Sequence, residues 1–112
     1  MLLPNLEKAY ILRKKLEFYL LSEVHTIGRS KAKFFRSIGF DETNITLLEQ
    51  SLLRIGQTYE VNEVVLSPHG MKYVIAGLLQ TPAGISLNVR TIWIIDSGSA
   101  NPRFVTAYPL KQ

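Results

Sequence analysis

The chain has 112 residues and no cysteine, which excludes disulfides, thiol nucleophiles and thiolate metal sites. Hydrophobic residues make up 46% and charged residues 20%, a composition that predicts a single folded domain over 1–112 rather than a disordered chain. Thirteen Lys and Arg against nine Asp and Glu leave a net charge of +4; two histidines and unspaced carboxylates predict no metal or other cofactor, and no apolar run reaches the ~18 residues of a membrane span.

Leu12, Leu16, Tyr19 and Leu20 recur at helical spacing and predict a first helix over about 12–21. After a turn through Ser22–Gly28, Ser30 opens a second helix over about 30–38; Ala32, Phe34 and Phe35 give it an apolar side and Gly39 ends it. Asp41-Glu42-Thr43 offers a new cap, and Ile45, Leu48, Leu52, Leu53 and Ile55 carry a third helix to Gly56, which is expected to close it. Beyond residue 57 the period changes. Tyr59–Leu66, Met71–Leu79, Ile85–Ile95 and Arg103–Tyr108 read as strands, separated by Ser67-Pro68-His69-Gly70, Thr81-Pro82-Ala83-Gly84 and a polar loop over 97–102. A helical part (about 1–56) followed by a sheet part (about 57–112) predicts an α+β fold, about three helices packed on a four-stranded antiparallel meander.

A symmetric connection between strands three and four would set Ile95 opposite Arg103, Arg90 opposite Tyr108 and Ile92 opposite Thr106. Arg90, Thr106 and Tyr108 would then share one sheet face, whereas a slip by one residue would separate them.

The charge is unevenly placed. Between Lys8 and Arg36, eight cations meet two carboxylates, Glu17 and Glu23, so this segment carries +6 and the rest of the chain −2. A basic half on a small domain is the footprint expected for a polyanion such as RNA, or for an acidic protein partner. Scattered N-terminal charges (Glu7, Lys8, Arg13, Lys14, Lys15, Glu17) interrupt any signal-type apolar stretch, and the expected location is cytoplasmic.

Most informative is His25-Thr26-Ile27-Gly28-Arg29-Ser30-Lys31-Ala32-Lys33. Gly28 permits a tight turn, Ser30 opens a helix whose free N–H groups favour an anion, and Arg29, Lys31 and Lys33 add charge at that end. These residues, Gly28, Arg29, Ser30 and Lys33, are candidates for substrate binding. His25, whose side-chain type titrates near neutrality, is a candidate for proton transfer. A metal-free ribonuclease needs a group to take the 2′-hydroxyl proton, one to protonate the leaving oxygen, and cations for the developing phosphorane charge. On the late strands, Arg90, Thr91, Thr106 and Tyr108 could line a substrate surface. His69 reads as a turn residue, and Trp93, Tyr10, Tyr19, Phe34 and Phe35 as core. No glycine-rich phosphate loop and no nucleophile elbow is present.

The run His25…Gly28-Arg29-Ser30-Lys31-Ala32-Lys33-Phe34-Phe35…Gly39-Phe40, followed by Val89-Arg90-Thr91-Ile92-Trp93-Ile94-Ile95-Asp96 and Arg103-Phe104-Val105-Thr106-Ala107-Tyr108-Pro109, resembles a small bacterial domain family of unknown function, frequent in cyanobacteria. The similarity covers Leu6 to Pro109. Where that family has Pro-x-Gly after the histidine, this chain has Thr26-Ile27-Gly28. The order also resembles the metal-independent ribonucleases that include barnase, EndoU, the colicin tRNases and the RelE toxins. That resemblance implies helices first, then the sheet, with a site across both: His25 and Lys31 from the helices, Arg90, Thr106 and Tyr108 from the strands. It implies an endoribonuclease acting as a toxin, with RNA as substrate and a small antitoxin protein as partner. The alternative is a non-catalytic RNA- or protein-binding module with a basic helical face.

Overall fold

A computed structural model describes residues 1–24 and 29–110. Among these residues the helices come first and the strands follow, as the change of period predicts. Helix α1 begins at Arg13–Lys15 and continues directly as a π-helical turn, Leu16–Leu20, closed by the Leu21 N–H donating to the Leu16 carbonyl at 2.9 Å. Helix α2 spans Arg29–Ser37 and α3 spans Ile45–Thr58. A short 3-10 turn, Glu42–Asn44, leads into α3. Asp41 caps it by accepting from the Thr43 N–H, and Asn44 answers by accepting from the Asp41 N–H, a reciprocal capping box.

The four strands, β1 (Glu63–Ser67), β2 (Gly70–Gln80), β3 (Ser86–Asp96) and β4 (Arg103–Pro109), form one antiparallel sheet in chain order. The helices cover one face. Leu16, Leu20, Phe35, Leu48, Leu52 and Ile55 pack there against Ile75, Leu79, Val89, Trp93, Phe104 and Ala107.

Two details depart from the expected pattern. Gly56 does not end α3; it lies inside the helix beneath Trp93, and a Cβ built on it would stand 2.5 Å from the indole Cζ2. The helix needs a residue without a side chain here because the largest core side chain of the sheet fills that space. The first strand accordingly starts later than expected, at Glu63, after Tyr59 has capped the helix by donating its N–H to Ile55.

The second departure is in the last hairpin. Arg90 pairs with Tyr108 and Ile92 with Thr106, as the symmetric connection requires, but Ile94, not Ile95, lies opposite Arg103. The register shifts between Ile92 and Trp93. Burial explains it: Phe104 and Ala107 are both in the core, three residues apart, which a regular period of two forbids. A bulge at this point absorbs the extra residue and leaves Thr106 and Tyr108 on the opposite face.

The N-terminal segment closes the β4 side. Tyr10 forms a parallel bridge to Arg103, donating its N–H to Pro102 and accepting from the Phe104 N–H, each at 3.0 Å. No helix among the described residues is long and apolar enough to cross a membrane.

Candidate functional site

The site is built where the helical layer meets the outer strand. Tyr19 sits on the π-helical turn between buried Leu16 and Leu20, half-buried itself. Its hydroxyl shares a 3.1 Å hydrogen bond with the Thr106 hydroxyl. Because β4 is the edge strand, a side chain of the helical layer can reach it round the edge of the sheet.

Two ammonium groups stand over the same aromatic ring. The Lys15 Nζ lies 4.9 Å from the Tyr19 centroid and the Lys31 Nζ 5.9 Å from it. Both distances are within cation–π range, worth roughly 0.5–1 kcal/mol for an exposed pair. Lys15 precedes Tyr19 by one helical turn. Lys31 arrives from α2, where Ala32 and Phe35 are buried and fix which flank Lys31 presents.

Further along the same sheet face, the Arg90 guanidinium donates to the Tyr108 hydroxyl at 3.4 Å and lies 5.8 Å from that ring's centroid. The Arg90–Tyr108 pair is two residues along the strands from the Ile92–Thr106 pair, roughly 7 Å away. A nucleotide backbone unit spans about this distance. Lys15, Lys31 and Arg90 thus supply positive charge, and Tyr19, Thr106 and Tyr108 supply hydroxyls, around one stretch of β4.

The proposed binding residues go elsewhere. Arg29, Ser30 and Lys33 line a separate cleft of about 530 Å³ together with Glu23 and Arg36. The helical period separates them: Arg29, Lys33 and Arg36 lie on one side of α2, and Lys31 on the other. Arg36 is occupied structurally. It donates to the Leu21 carbonyl at 3.1 and 2.7 Å, to both Glu42 carboxylate oxygens, and pairs with Glu23 at 3.1 Å. The hydrogen bond from Arg36 holds the Glu42 carboxyl below the usual carboxylate range. His25 and Gly28 lie outside the described residues. Among the described residues, no group of three or more His, Asp or Glu is arranged to hold a metal ion.

Thr91 is not a surface residue. It faces the core, where its hydroxyl donates to the Ile75 carbonyl at 2.7 Å and accepts from the Trp93 indole N–H at 2.8 Å. Trp93 is core, as read, and packs edge-to-face on Phe104 at 5.3 Å. His69 lies in the β1–β2 turn, its carbonyl accepting from Ser97.

Sequence reasoning missed Lys15 and Tyr19. Their four-residue spacing on a predicted helix was visible, but Tyr19 looked like one more apolar-face residue.

An α+β chain with helices leading into a four-stranded meander is one architecture shared by many proteins, and comparison narrows it. Residues 2–111 match the family described as "Domain of unknown function (DUF6883)", and the chain belongs to that family. In fold it is similar to a chain of the contact-dependent growth inhibition toxin–immunity protein complex from Klebsiella pneumoniae 342, with a TM-score of 0.70 over 96% of this chain and 97% of that one, at 13% identity. No protein of curated function matches the sequence.

Proposed function

We propose that this chain is a metal-independent endoribonuclease acting as the toxin of a toxin–antitoxin pair. The observation that carries the reading is the meeting of Lys15, Tyr19 and Lys31 with Thr106, beside Arg90 and Tyr108 on the same face of the sheet. The fold likeness to a chain of a toxin–immunity protein complex supports the biological setting and a small neutralising protein as partner.

The reaction runs as an in-line displacement. The 2′-hydroxyl loses its proton and its oxygen attacks the adjacent phosphorus; the bond to the 5′-oxygen breaks, and that oxygen leaves with a proton. The products are a 2′,3′-cyclic phosphate and a 5′-hydroxyl end. Arg90 and Lys31 stabilise charge on the non-bridging oxygens, while Thr106 and Tyr108 orient the phosphate. His25, by its chemistry, carries a proton in this scheme; such transfer contributes typically 10²–10⁴-fold.

The test uses purified wild type and Arg90→Ala on a structured RNA in the presence of a chelator. Wild type should cut, leaving cyclic phosphate ends. Removing Arg90 should lower the rate by roughly 10²–10³-fold with an unchanged circular dichroism spectrum. Intact RNA with folded wild-type protein would refute the catalytic reading.

The separate Arg29–Lys33 cleft favours a second reading, a binding module that spreads phosphate contacts over many cations. That reading expects RNA affinity that falls steeply with salt and survives Arg90→Ala, without strand scission.

A further inference from the structure

The sheet has two edges, and they are treated differently. On β4 the Tyr10 bridge occupies one end, Tyr19 covers Thr106, and Pro109 offers no N–H at the other end. The β1 edge has none of these guards. No strand among the described residues pairs with its outer side, its register with β2 is unbroken, and Glu63–Ser67 contains no proline or lysine. The Met1 carbonyl reaches only Val61, which precedes the strand.

This bare edge is also apolar. Val64, Val65 and Leu66 are 42%, 39% and 79% exposed. Three consecutive exposed aliphatic residues on an unpaired strand are a template for adding another strand, and folded proteins ordinarily block such edges.

We propose that β1 is the contact strand of a two-fold dimer, pairing antiparallel with β1 of a second copy about Val65. The sequence is self-complementary in that register. Val65 meets Val65 of the second copy, Val64 meets Leu66, and Glu63 meets Ser67, so no like charges face each other. An isologous contact of this kind closes on itself, and the guarded β4 edges stop further growth. Directly opposed residues share a sheet face, so the two helical layers lie on one side and the two open faces on the other. The β3 strands of the two copies are then five strand spacings apart, roughly 24 Å. This proposal does not rest on ribonuclease chemistry.

Light scattering after size exclusion should give twice the chain mass of 12.7 kDa. Val65→Lys, which sets two ammonium groups opposite each other at an exposed position, should give a single-chain mass with an unchanged circular dichroism spectrum. A second variant probes the register without adding charge. The natural chain has no cysteine, and opposed strand residues have Cα atoms roughly 4.5–5.5 Å apart, within disulfide reach. Val65→Cys should therefore oxidise to a covalent dimer with diamide, while the exposed Leu78→Cys should not. A single-chain mass for wild type up to about 1 mM, a dimer undiminished by Val65→Lys, or no cross-link through Cys at 65 would each overturn the proposal.

Discussion

The hydroxyl of Thr91 does in the core what Thr106, on the neighbouring strand, does at the rim: it joins two elements through one oxygen. In Thr91→Val the Trp93 N–H and the Ile75 carbonyl would both lose a buried partner. The expected loss is about 1–3 kcal/mol, measured by chemical denaturation, although valine matches threonine in shape. At the rim the same logic separates stability from activity. Tyr19→Phe keeps the ring under Lys15 and Lys31 and removes the bond to Thr106. Stability should fall by no more than about 1 kcal/mol, while the rate of RNA cleavage falls at least tenfold, read in the same assay as Arg90→Ala. A cleavage rate equal to wild type would remove the Tyr19 hydroxyl from the site.

At the scale of elements, α3 sets two forces against each other at Gly56. Alanine is favoured over glycine inside a helix by roughly 1 kcal/mol. Here its methyl group would enter the Trp93 ring, and overpacking costs typically 1–3 kcal/mol, so Gly56→Ala should lower the thermal midpoint despite its better helix propensity. The same position shows what the sequence could reveal. Periodicity located the helices and strands because burial on one face imposes it. A glycine after an apolar run reads as a stop, and nothing local to Gly56 announces that Trp93, 37 positions later, lies above it. The bulge in β4 was hidden for a similar reason: only the joint burial of Phe104 and Ala107 reveals it. Arg90 opposite Tyr108 was legible because a hairpin constrains its own register. The meeting of Tyr19 with Thr106 was not, since it depends on how the helical layer overhangs the sheet edge.

For the whole molecule, three carboxylates held by near neighbours in the chain share one pH response. Hydrogen bonds from Thr43 lower the pKa of Asp41, those from Arg36 lower that of Glu42, and those from Arg103 lower that of Asp96. A depressed carboxyl favours the folded state once it is ionised, above its unfolded value, and that contribution disappears as pH falls through the folded value. Thermal stability should therefore hold from neutral pH to roughly pH 4 and drop below it. Arg103→Ala should flatten the acid limb by removing the share of Asp96, whose carboxylate Arg103 holds at 3.1 and 2.9 Å.

The segment that closes the β4 edge has a consequence for the order of folding. Leu3 and Ile11 are buried, the Asn5 amide donates to the Ala100 carbonyl at 2.8 Å, and Tyr10 bridges Arg103. This segment is thus secured by the last strand of the sheet in chain order, and the closed edge forms only once β4 is in place. Contacts between residues so far apart in sequence require a long loop to close, so this edge is expected to form among the last steps of folding. Thr106 and Tyr108 lie on β4, so the surroundings of both hydroxyls are completed in the same late step.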